Sequence, residues 1–145
     1  MGRPLPNYEE YFDKIAVYCE AVDLVIERKE CDSDGLYVPT RRRIVIDRDL
    51  DESSEIAVLL HEIGHTLDDA LKDQCEEKKI DRAYTAFYKN EATKKQVQIV
   101  YECEKRAWEY GRAIAKKLRI KLGKWYTVEE GNYLADYGQE EQSGT

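Results

Sequence analysis

The sequence predicts an α+β domain, mostly helical, with a small antiparallel three-stranded sheet packed beside a central helix. Three observations carry this. Apolar residues recur at helical spacing in four long stretches. Between the first and second of these, roughly residues 22–47 switch to short alternating runs broken by turn formers. The chain has 145 residues, which suits one domain (1–145) with a modest core.

After Pro6-Asn7, the residues Tyr8, Tyr11, Phe12, Ile15, Cys19 and Val22 recur with helical period and predict an amphipathic first helix. Val22, Leu24 and Ile26 then alternate with Asp23 and Glu27, a short strand. Cys31-Asp32-Ser33-Asp34-Gly35 is a turn in which Gly35 is free to take positive φ. Its acids lack the remaining spacing of an EF-hand calcium loop. Leu36-Tyr37-Val38, ended by Pro39, reads as a second strand, and Arg42 to Asp47 as a third. Short strands joined by turns imply antiparallel pairing.

Asp49 to Glu55 is rich in cap formers and acids, as a helix N-terminus prefers. The helix it opens runs from about Ser54 to Leu71. Its Ile56, Leu59, Leu60, Ile63, Leu67 and Leu71 share one buried arc. A connecting helix follows within 72–91, with Ile80, Ala83, Tyr84, Phe87 and Tyr88 at helical spacing. A long helix over about 92–122 carries the stripe Val97, Val100, Ala107, Gly111, Ile114 and Leu118. Thr127-Val128-Glu129-Glu130 has a capping-box pattern and predicts a last short helix docked by Tyr133, Leu134 and Tyr137. Residues 139–145 read as a frayed polar tail.

Charged residues make up 37% and the formal net charge is -7, which argues against general affinity for nucleic acid phosphates. The basic runs Arg41-Arg42-Arg43 and Lys116-Lys117 are short. No apolar run approaches a membrane span, and Met1 to Pro6 has no signal-peptide core. The expected location is therefore cytoplasmic. Cys19, Cys31, Cys75 and Cys103 are far apart and form no CxxC pair, so free thiols are expected.

The predicted central helix contains His61-Glu62-Ile63-Gly64-His65, and these are the only two histidines of the chain. On a helix, residues at i and i+4 share a face, so both imidazoles can reach one metal ion. Glu62, rotated about 100° further round, can touch a metal-bound water without being a ligand. Both histidines adjoin the apolar arc, as in the wall of a cleft. Gly64 would let a neighbouring helix or a substrate backbone come close. Asp68 lies one turn past His65, where it is either an acceptor orienting an imidazole or a solvated acid.

A catalytic zinc site has three protein ligands and one open position. With no third histidine, the third ligand must be a carboxylate or a cysteine. Glu104 falls in the middle of the later apolar stripe, whereas Glu102 falls opposite it. A buried carboxylate needs a partner. A cation held with the histidines would serve, and so would an Arg or Lys.

The segment Glu104-Lys105-Arg106-Ala107-Trp108-Glu109-Tyr110-Gly111, following HExxH, resembles the second motif of the ImmA/IrrE family of zinc metallopeptidases. The similarity spans roughly 22–118. It implies a minimal zincin-like fold of gluzincin type. One Zn2+ would be bound by His61, His65 and Glu104, and Glu62 would act as base. It also implies a protein substrate, with a transcriptional regulator as the example.

The expected activity is zinc-dependent peptide hydrolysis, in which Glu62 activates a zinc-bound water. The developing oxyanion needs a donor besides zinc, and Tyr110, Tyr101, Tyr126 and Tyr37 are the candidates. The strand holding Ile44, Val45 and Ile46 is expected to pair with an extended substrate. The alternative is a regulatory or interaction protein whose zinc site is structural or inactive, closed by Cys103 or Asp68.

Overall fold

The computed structural model describes residues 6–139. From residue 140 onward, the tail expected at 139–145 lies outside them. The elements run in the order α1 (Tyr8–Ala21), β1 (Val25–Lys29), β2 (Gly35–Val38), β3 (Arg43–Asp47), α2 (Glu52–Ala70), α3 (Gln74–Tyr88), α4 (Lys94–Lys117) and α5 (Lys124–Leu134). A π-helical segment, Ala135–Gln139, continues α5. The α+β class holds. Among the described residues, no helix is long and apolar enough to cross a membrane.

The sheet is mixed rather than antiparallel. Its order is β1-β3-β2, with β1 parallel to β3 and β2 antiparallel to it. The composition of the strands explains this. Ile44, Val45 and Ile46 are all buried, as suits a strand covered on both faces and flanked on both edges. In β1, Glu27, Arg28 and Lys29 suit an edge. Arg28 forms a paired contact with Glu55 of α2 at 2.9 and 2.7 Å. The first strand starts at Val25 rather than Val22 because Asp23 takes a left-handed conformation (φ 59°) just after α1. Arg42, with φ 50°, likewise delays the third strand to Arg43. Gly35 has no positive φ to serve. A Cβ there would lie 2.8 Å from the Val58 side chain, so it lets β2 lie flat on α2.

α2 is the central element, in contact with α1, β2, β3, α4 and α5. From Ile56 to Gly64 every residue is buried, not just one arc. α3 packs on α4 through Ile80 and Ala83. The last helix begins earlier than its capping-box pattern suggests. Its N-cap is Gly123, and Thr127 lies inside it. Glu130 is drawn away to Arg112, whose Nη1 donates to it at 2.7 Å.

Candidate metal centre and active site

α2 is started by Asp51, whose carboxylate accepts from the Ser54 amide at 2.9 Å. Two and a half turns later it carries His61, Glu62 and His65 into the interior. α4 meets this stretch with its backbone. A Cβ on Gly64 would lie 1.9 Å from the Ala107 carbonyl oxygen, and one on Gly111 would lie 2.9 Å from that of Leu60. Only glycine fits at these crossings. Gly64 therefore serves helix packing, and its helix-propensity cost of about 0.8–1 kcal/mol is the cost of that approach. Glu104 stands one turn before Ala107, so the same contact brings its carboxylate to the histidines.

The convergence is tight. His61 Nε2 lies 3.1 Å from Glu104 Oε1, and His65 Nε2 lies 2.9 Å from Glu104 Oε2. His61 is stacked on the buried Trp108 ring, with centroids 4.5 Å apart and planes 13° apart, which fixes the imidazole plane. Tyr84 of α3 donates a hydrogen bond to Glu104 Oε2. Glu62 is buried beside His61, with its Oε2 3.3 Å from Nδ1. That Nδ1 has no hydrogen-bond partner.

Burial alone would lower the pKa of both histidines. For His61, the Glu62 charge and the Glu104 hydrogen bond outweigh burial, and the pKa rises. For His65, the Glu104 charge raises it well above the ordinary value. Burial pushes Glu104 up, but the two imidazoles overcome it and hold the carboxyl well below the usual carboxylate range.

The donor set fits a zinc ion. Two imidazole nitrogens and a carboxylate oxygen are its usual ligands, at about 2.0–2.1 Å each, which places tetrahedral ligands about 3.3 Å apart. Each imidazole nitrogen already lies 2.9–3.1 Å from an oxygen of the same carboxylate. His61, Glu62 and His65 also form a compact group of potential ligands.

The centre opens on a cleft of about 580 Å³, lined from one side by Gly35, Leu36 and Tyr37 of β2 and from others by Tyr84, Tyr133 and Tyr137. Tyr133 donates to Asp34, tying α5 to the turn before β2. A groove of about 650 Å³ between α1 and β1 contains neither histidine. The chain matches no protein-family model, no curated protein and no solved structure. Its chemistry has to be read from these residues.

Several sequence expectations do not hold in the structure. Asp68 is buried, but it touches neither imidazole. It accepts from Arg106 Nε at 2.9 Å and from Cys103 Sγ at 3.3 Å, and lies 3.2 Å from Lys72 Nζ. It is a structural ion-pair acceptor, held by Arg106 and Lys72. Tyr110 is half-buried and does not line the cleft. Tyr101 packs against the core, and the Tyr126 hydroxyl is used on the Trp108 carbonyl at 2.6 Å. Of the four tyrosines expected, only Tyr37 reaches the cleft. Ile44, Val45 and Ile46 cannot pair with a substrate, since β3 is the middle strand and both its ladders are taken. The edge strand on the cleft is β2.

Tyr84, Tyr133 and Tyr137 were not among the expected site residues. Tyr84 carried a usable signal, for it belongs to the α3 stripe that must face another helix. For Tyr133 and Tyr137 the pattern predicts docking on the body but not on which part of it.

Proposed function

We propose that the protein is a zinc-dependent metalloendopeptidase, with His61, His65 and Glu104 holding the ion and Glu62 as general base. The observation that carries this reading is the meeting of two Nε2 atoms from one turn of α2 on the two oxygens of Glu104, with Glu62 alongside and a cleft in front. When bound, zinc supplies a Lewis acid for the scissile carbonyl and lowers the pKa of a water to near 7. Glu62 takes a proton from the attacking water and delivers it to the leaving amine nitrogen as the C–N bond breaks. Trp108 keeps the His61 ring in plane.

β2 offers its free edge to an extended peptide, so that backbone groups rather than side chains set the register. With Tyr84 engaged by Glu104, Tyr133 by Asp34 and Tyr137 by Tyr88, Tyr37 is the cleft tyrosine that meets the oxyanion in this reading. An intracellular regulator as the substrate rests on the family resemblance alone.

Metal analysis and cleavage of a proteome-derived peptide library test the reading. Wild type should hold one zinc and cleave. Glu104→Ala should lose the zinc, and Glu62→Gln should keep it while cleavage falls by at least 100-fold. A Glu62→Gln protein that cleaves like wild type would overturn the assignment.

The second reading is a regulatory protein with a structural zinc. It draws on Cys103, whose buried thiol lines the same cleft beside His65. A closed site would need that thiol as a fourth ligand, and Cys103→Ser would then weaken zinc binding. The hydrolase leaves zinc affinity unchanged in that variant.

A further inference from the structure

We propose that Tyr84 is the positioning residue of the centre, its phenol holding the Glu104 carboxylate in the pose in which an ion can be shared with the two imidazoles. The proposal rests on the metal reading above and adds the group that makes the third ligand competent. It stands on how the hydrogen bonds of Glu104 are distributed. Among the described residues, its carboxylate has three polar partners: His61 Nε2 at 3.1 Å on Oε1, His65 Nε2 at 2.9 Å on Oε2, and the Tyr84 hydroxyl on Oε2.

The two imidazole contacts cannot survive metal binding as hydrogen bonds. A ligating imidazole nitrogen uses its lone pair and carries no proton there. Both donors are therefore lost to Glu104 at the moment an ion arrives. The phenol is the one donor that persists, and it leaves Oε1 without a competing hydroxyl. Glutamate has three rotatable side-chain bonds, so a carboxylate released from all its partners would be poorly ordered as a ligand.

Tyr84 is itself well held. It sits on α3 next to the fully buried Ala83, which packs α3 onto α4. Its ring is stacked near Tyr88, with centroids 6.1 Å apart and planes 28° apart. α3 therefore does more than connect α2 to α4. It delivers the hydroxyl that orients a ligand lying 20 residues later. Outer partners of metal ligands typically change metal affinity by 10–100-fold when removed.

The test uses the full chain with zinc, then cobalt, as the only added probes. Zinc affinity is measured by chelator competition for wild type, Tyr84→Phe, Glu104→Gln and the double variant, with folding checked by circular dichroism in chelator. The expected result is one zinc in wild type, a 10–100-fold loss in Tyr84→Phe, and no further loss when Tyr84→Phe is added to Glu104→Gln. The cobalt visible spectrum of Tyr84→Phe should also differ from wild type, because the carboxylate coordinates differently. Equal zinc affinity in wild type and Tyr84→Phe, with wild type taking up one zinc, overturns the role of Tyr84 and leaves the metal reading intact. A wild type that takes up no zinc overturns both. If Tyr84→Phe does not fold, 3-fluorotyrosine placed at position 84 keeps the shape and changes the donor strength. A shifted cobalt spectrum then supports the proposal, and an unchanged one overturns it.

Discussion

Two carboxylates are buried along the same helix–helix seam, Asp68 on α2 and Glu104 on α4, and they are neutralised in opposite ways. Their exposures are alike, 4% and 3%, so burial does not separate them. Asp68 is matched by Arg106 and Lys72, cations at any ordinary pH. Glu104 faces two imidazoles and a phenol, donors whose charge depends on pH or is absent. A carboxylate balanced from within the chain has no use for an added ion. One balanced by protonated imidazoles can exchange those protons for a metal ion, because an imidazole gives up its proton and becomes a ligand whereas Arg and Lys cannot. The difference between a structural ion pair and a metal site here lies in the neighbours, not in the acid.

The seam itself is the first place to break that contrast. Gly64→Ala would push a methyl group into the Ala107 carbonyl, 1.9 Å away, and part both pairs at once. We expect a loss of about 3 kcal/mol in denaturant unfolding, together with loss of zinc binding. Asp68→Ala should separate the two carboxylates. It leaves Lys72 with the longer contact to Asp69 at 3.5 Å and should cost about 2 kcal/mol, the half-exposed Arg106 limiting the loss, while zinc stoichiometry stays at one. Glu104→Ala should do the reverse. Zinc is lost, and stability in chelator falls by about 1–3 kcal/mol, as the Tyr84 phenol and two imidazoles lose their acceptor.

pH sharpens the contrast further. In the zinc-free protein His61 and His65 have raised pKa values. Their stabilisation is complete below their ordinary value of 6.5 and is lost as pH rises through the folded values. The lowered value of Glu104 contributes above its ordinary 4.5 and is lost on acidification. Zinc-free stability should therefore peak at about pH 5–6. Zinc competes with the same protons, so the gain in melting temperature on adding zinc should grow from about pH 6 to 8. A gain independent of pH would argue against imidazole ligands. The smallest effect is expected for Arg106→Gln, whose side chain is 41% exposed. It should cost less than about 1 kcal/mol and leave zinc affinity unchanged.

Much of this is legible in the sequence wherever the signal is local. The spacing of His61 and His65 needs only a helix to place both rings on one face. Glu104 could be chosen over Glu102 because a helical period puts one in the apolar stripe and the other outside it. What failed was non-local. Asp68 sits at the right spacing to orient His65, but Arg106 and Lys72 claim it from other turns. Tyr110, near Glu104 in sequence, points away from the cleft wall, whereas Tyr84 reaches Glu104 across a helix pair. The antiparallel sheet expected from short loops became mixed because the most apolar strand takes the middle.

Composition and periodicity determined by themselves that this chain forms a helix-rich α+β domain with two histidines on one face of a buried helix and one acid in a later apolar stripe. Those are properties of a few consecutive turns, fixed by the 3.6-residue repeat and by the cost of burying charge. Only the tertiary structure decided which groups meet that acid, which strand borders the cleft and which tyrosines line it. Such pairings depend on the close approach of α2 and α4 at Gly64 and Gly111 and on strand order, and no short stretch of sequence encodes the partner it will pack against.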